Sequence, residues 1–213
     1  MKVKMFQSCS VDQSYFYDRF LLSYYRTYNI PKWPLPQKEW ILDSGGYTIG
    51  MMGKDYNDMP QYEKYWTCES YANFINIWQP NIAFTMDYAV KEQTSKEEIR
   101  QKQDKTNDNT AKLLDLVNKR TILANVLQGW DVQDYVIHID KMRDTGTLTD
   151  YIGLGLPPKK LTKTKKVEDV VIEVRKCLPA KTKLHGLGFT ADLFIHSPLK
   201  LDKMVFSADT AYR

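Results

Sequence analysis

The sequence contains no apolar run of about 18 residues, which excludes an ordinary membrane-spanning helix. Its opening, "MKVKMFQSCS", lacks the long apolar stretch and small-residue cleavage site of a secretory signal. Cysteine is scarce: Cys9, Cys68 and Cys177 are scattered, with no C-x-x-C pair and no even-numbered framework. That argues against disulfide stapling and a cysteine-built zinc site, and points to a reducing, cytoplasmic setting. A large charge imbalance is missing too. The net charge of +4 permits a polyanionic partner without demanding one. Low-complexity tracts and short-period repeats are also lacking.

What is present is an ordinary globular composition, 43% hydrophobic and 26% charged over 213 residues. The length fits one large domain or two small ones. The strongest linker candidate, "YNIPKWPLPQKEW" at residues 28–40, is better read as an extended lead into a strand, so residues 1–213 are taken as one domain. Short apolar runs recur and end in polar or glycine-rich turns: "KMFQSCS", "WILDSGG", "IAFTMD", "ILANVLQG", "YIGLGL", "KLHGLGF" and "KMVFSAD". Amphipathic patterns separate them. "SKEE" at 95–98 reads as a capping box opening a long polar helix. "DVQDYVIHIDKM" puts Val132, Tyr135, Val136, Ile139 and Met142 on one face, with Asp131 as N-cap. "VEDVVIEVRKCL" does the same with Val167, Val170, Val171 and Val174. Apolar strands alternating with helices indicate an α/β protein with a parallel sheet covered on both faces.

The turn residues Asp43, Asp87, Gln128, Gly155, His185 and Asp209 recur at intervals near the roughly 30-residue period of a (β/α)8 barrel. Each is expected at the C-terminal end of its strand, where barrel enzymes build their sites. A doubly wound sheet would also bind ligands there. The barrel is favoured, but only seven runs are visible. A compact TIM-like barrel that lacks or modifies one βα unit is the expectation.

One stretch stands out. "ILDSGGYTIG", residues 41–50, drives an apolar run into Asp43, then Ser44, Gly45, Gly46 and Tyr47. An acid, open backbone and a flat ring suit a ligand site, although Asp43 could equally cap a turn and Tyr47 could be core. Convergence of Asp43, Asp87 and Asp209 on one pocket with Gln128, Tyr47 and His185 is harder to dismiss. Facing carboxylates suit chemistry at an anomeric carbon, and a carboxylate is a competent nucleophile without an activating base. A base lifted from its stack wants aromatic faces and edge hydrogen bonds, which Tyr47, Asp87 and Gln128 can offer.

"LDSGGYTIGMM" resembles the Asp-Ser-Gly-Gly-aromatic signature of the tRNA-guanine transglycosylase superfamily, and "AFTMD", "VLQG", "YIGLGL", "KLHGLG" and "MVFSADTAYR" follow in that family's order. The resemblance spans residues 40–213 and is nearest to the compact branch that includes enzymes placing 7-deazaguanines in DNA. It implies a pentosyltransferase that exchanges guanine in DNA or tRNA for a free 7-deazaguanine base. Asp209 matches the nucleophile at C1′, and Asp43 the acid/base that deprotonates the incoming base. Asp87 and Gln128, with backbone groups of Gly153, Leu154 and Gly155, match the base-edge contacts. Ser44, Gly45, Gly46 and Gly186 belong to the same substrate motifs. Tyr47 and His185 would lie on opposite faces of the base; the family often has methionine at the second position, and a core histidine is the alternative for His185.

No metal or cofactor is expected. The Cys-x-Cys-x-x-Cys and later His of the family's tRNA enzymes have no counterpart, nor has the RNA-binding domain of some of them. Their lack favours DNA or an unusual RNA, and leaves room for a homo-oligomer or a partner subunit. Lys159, Lys160, Lys163, Lys165 and Lys166, with Arg213, form the candidate phosphate-contacting set; a solvated loop explains the lysines equally well. Two alternatives stay open: a glycosylase that excises a base with water, and a catalytically silent nucleobase or nucleic-acid binder. Binding alone would need neither Asp43 nor Asp209, which speaks against the silent binder.

Overall fold

A computed structural model describes residues 3–29, 38–51, 65–156, 164–197 and 200–211. Eight parallel strands close into a barrel in chain order, each hydrogen-bonded to its neighbours in sequence and the last to the first. They are β1 (Lys4–Ser8), β2 (Arg19–Ser23), β3 (Glu39–Asp43), β4 (Ile82–Phe84), β5 (Ile122–Leu127), β6 (Tyr151–Gly155), β7 (Lys183–Leu187) and β8 (Ser207–Ala211). The described helices are α1 (Tyr24–Thr27), α2 (Gly46–Met51), α3 (Cys68–Trp78), α4 (Lys96–Leu116), α5 (Val132–Asp144), α6 (Thr164–Cys177) and α7 (Ala191–Ile195). This is a TIM-like (β/α)8 barrel.

The strand count corrects the expectation of a missing unit. β2, "RFLLS", had no visible boundary because only a 3-10 turn, Asp12–Phe16, separates it from β1. With no helix between them, the βα period collapses there. The barrel is compact because its first connections are short, and no strand is lost.

Strand periodicity sorts the core into an inside and an outside. Phe6, Leu21, Ile41, Phe84, Val126 and Tyr151 fill the barrel interior. The alternate residues face the helices: Leu22 and Leu42 pack with Tyr71 and Ile75 of α3, and Ile152 and Leu184 with Val170 and Val174 of α6. Val167, Val170, Val171 and Val174 are all buried, as their helical spacing requires, and so are Tyr135, Ile139 and Met142 of α5. Val132 and Val136 are only partly covered. At the N-terminal end of the interior, Glu39 binds Lys4 at 2.9 Å and Arg19 at 3.0 Å.

The helix starts are chemically specified. Ser95 accepts the Glu98 N–H at 3.1 Å to open α4, and Asp131 and Asp134 form a reciprocal capping box on α5. Asp134 is also bound by Lys96 at 2.9 Å and Arg100 at 2.8 Å, which locks α5 to α4. The face of α4 towards the sheet is polar. Gln103, Thr106, Asn107 and Thr110 are buried there; each makes a hydrogen bond, although Asn107 Nδ2 is left without a partner among the described residues.

Candidate active site at the barrel mouth

Asp43 is the last residue of β3 and points along the inward-facing register with Ile41. Its Oδ2 accepts the Gly45 N–H at 2.9 Å. Gly45 lies at φ +85°, where a side chain would be strained and would strike Tyr25. Gly46 serves a different need. A Cβ there would sit 2.3 Å from the carbonyl oxygen of Asp87 and 2.7 Å from its Oδ1. The two glycines let the start of α2 lie directly on the acid that follows β4.

Asp87 is buried and held from both sides. Ser44 Oγ donates to Oδ1 at 2.8 Å, and Gln128 Nε2 donates to Oδ2 at 2.6 Å. The Gln128 amide has one orientation, because its Oε1 accepts the Val90 N–H at 3.2 Å. Gly155 makes room for it, since a Cβ would come within 2.9 Å of Nε2. The Gln128 backbone is fixed in turn: its N–H donates to His138 Nδ1 at 3.0 Å and its carbonyl accepts from Gln103 at 2.8 Å.

Asp209 completes the cluster from β8. It lies in the middle of that strand rather than at its end, as does His185 in β7, which corrects the expected strand-end placement of both. Oδ1 of Asp209 receives His185 Nε2 at 3.1 Å and the Gly188 N–H at 3.0 Å, while Oδ2 has Ser8 Oγ at 3.4 Å.

Asp43 feels the other two acids. Burial, then Asp87, then Asp209 push the Asp43 carboxyl up to about 7, against the pull of the Gly45 amide. Burial also raises the Asp87 carboxyl, opposed by its hydrogen bonds from Ser44 and Gln128. An acid poised near neutrality beside two others is an arrangement suited to proton transfer.

The other expected residues divide. Tyr47, in the first turn of α2, is 45% exposed and available to a flat ligand. His185, expected across a base from Tyr47, has no exposed surface and is spent on Asp209 and Ser207. Leu154 points outward into the helix-facing core, so only its backbone could meet a ligand. Gly153 clears space for the Phe84 ring, and Gly186 for Phe189 on the outer layer. Lys165 and Lys166 are exposed near the start of α6. Lys159, Lys160, Lys163 and Arg213 lie outside the described residues.

Sequence reasoning missed Ser8, Tyr151, Ser207, Gly188 and His138. Ser207 had a signal, standing two positions before Asp209 on the same strand face. Two surface hollows of about 250 and 180 Å³ are lined by none of the three acids. The acids carry the chemistry, so the site is placed with them. No family model and no curated protein matches the chain.

Proposed function

We propose that the protein is a base-exchange glycosyltransferase that replaces guanine in DNA or tRNA with a 7-deazaguanine, as the resemblance to tRNA-guanine transglycosylases suggests. The observation that carries the reading is the joint placement of Asp43 and Asp209, with Asp43 pushed up to about 7 by burial and by its two acidic neighbours. In this reading Asp209 Oδ2 attacks C1′ of a nucleotide lifted from its stack. The C1′–N9 bond breaks, guanine leaves with the electron pair, and a proton from Asp43 neutralises it. The sugar is now an ester of Asp209. The Asp43 carboxylate takes the N9 proton of the incoming base, whose nitrogen attacks C1′ and frees Asp209. Two inversions give net retention.

An acid with a pKa near the working pH can serve both steps, since each protonation state is well populated. In this reading Asp87 and Gln128 supply acceptor and donor atoms for a purine edge. Tyr47 offers the stacking face. Lys165 and Lys166 stand near the start of the helix after β6, on the same rim, and suit the flanking phosphates.

The test is exchange of labelled guanine, or of a labelled 7-deazaguanine, into guanine-containing DNA and tRNA. Incorporation supports the reading. Release of free guanine without incorporation would move the assignment to a base-excising glycosylase, and binding without release to a silent binder.

A further inference from the structure

We propose that His185 is a positioning residue for Asp209, binding Oδ1 through Nε2 so that Oδ2 is left as the reacting oxygen. Its kinetic consequence rests on the transglycosylase reading, whereas the hydrogen-bond assignment does not.

The argument starts at the far end of a buried chain. The Tyr151 hydroxyl meets Ser207 Oγ, and Ser207 Oγ lies 2.8 Å from His185 Nδ1. Burial, the largest influence, pushes the Tyr151 phenol up to about 12, so this hydroxyl keeps a proton that it can donate to Ser207. With Tyr151 donating, Ser207 accepts from it and can turn its own proton to Nδ1. A carboxylate oxygen can only accept, so Nε2 carries the hydrogen that points at Asp209 Oδ1, 3.1 Å away, and in the neutral ring Nδ1 is then the acceptor for Ser207.

Oδ1 thus takes two donors, His185 and the Gly188 N–H at 3.0 Å. Among the described residues, Oδ2 has a single contact, the 3.4 Å approach of Ser8. The two oxygens are not equivalent. The ring itself is confined by Phe84 at 5.0 Å and Phe6 at 6.1 Å between centroids, and it is fully buried. A histidine that served only as filler would need neither end of this chain. A nucleophile held at one oxygen keeps the other aimed, and preorganisation of that kind lowers the barrier without changing substrate affinity.

Two measurements test this. The first is a long-range 1H–15N spectrum of the free full-length protein, with the His185 ring assigned by comparison with His185→Gln. A neutral Nε2–H tautomer is expected, and a neutral Nδ1–H tautomer overturns the proposal. The second is the rate of covalent adduct formation on guanine-containing nucleic acid. His185→Leu should slow it roughly 10- to 100-fold with unchanged nucleic-acid affinity, the loss of one charge-assisted hydrogen bond. His185→Gln, which can still donate to Oδ1, should recover most of the rate. Equal losses in the two variants would overturn the positioning role. Should His185→Leu fail to fold, Ser207→Ala replaces it, with a slower adduct expected and a wild-type rate contradicting the chain. A wild-type protein that forms no adduct at all would overturn the transglycosylase reading, while the tautomer still decides the His185 assignment.

Discussion

Gln128 and Asp87 form a buried hydrogen bond of 2.6 Å in which only one amide orientation is possible, because Val90 holds the other end of the amide. The bond fixes how both side chains sit beneath the barrel mouth. Replacing Gln128 with Glu puts a second carboxyl against Asp87 and leaves the Val90 N–H facing it. A loss of about 2–4 kcal/mol in stability is expected at pH 8, shrinking at pH 5 where the two carboxyls can share a proton. Denaturant titration at both pH values measures it.

Asp43 and His138 should tilt the stability curve in opposite directions. Asp43 has a raised carboxyl, about 7 when folded against 3.8 for the free group, so its contribution is complete below about 4 and is lost as pH rises towards 7. Asp43→Asn should therefore gain stability over wild type as pH passes from 5 to 8, by a few kcal/mol at most because solvent reaches the mouth. Burial is the main cause that drives His138 down from 6.5 to about 3, with Lys141 next. The sign is reversed: stability is complete above about 6.5 and drains as pH falls towards 3. His138→Gln should flatten that acid limb. Thermal melts across the range separate the two effects.

Gly46 is where the backbone of α2 meets Asp87. A methyl group at that position would have to displace the Asp87 backbone carbonyl at 2.3 Å, and backbone cannot swing aside as a flexible side chain can. Gly46→Ala should cost about 1–3 kcal/mol and weaken binding of the free base more than binding of the polymer. Calorimetric titration with guanine, run beside a melt, checks both.

The Asp43–Tyr47 stretch was legible because several local rules agree there: an apolar run, a carboxylate and two glycines with no other local use. The buried valine face of α6 was legible for the same reason. β2 was not, because its neighbour in sequence is a single 3-10 turn and its flanks carry aromatics rather than turn residues. The polar seam between α4 and β5 was also hidden. Asn125 and His138 both hydrogen-bond Asn107 inside the protein, yet each of the three reads as a surface residue on its own helix or strand. His185 shows the limit most clearly. Its motif position suggested contact with a ligand, and only the strand register, which sets it beside Ser207 across from Gly153, reveals that its partner is Asp209.

Lys165 and Lys166 are exposed on the rim near the start of α6. If they hold phosphates, replacing both with Gln should reduce the salt dependence of nucleic-acid binding by roughly two units in the log–log slope. Affinity for free guanine should not change. Fluorescence anisotropy over a salt series reads the slope, and an unchanged slope assigns these lysines to solvent alone.

The central claim is that Asp209 attacks a sugar. The most direct measurement is mass spectrometry of the peptide containing Asp209 after the protein is mixed with guanine-containing DNA or tRNA and quenched in denaturant. An ester-linked nucleotide on Asp209 is expected in the wild type. Asp43→Asn should still form the adduct, more slowly, and fail to resolve it with a 7-deazaguanine, while Asp209→Asn should form none. An adduct of equal yield in Asp209→Asn, or one carried by any other residue, would contradict the account.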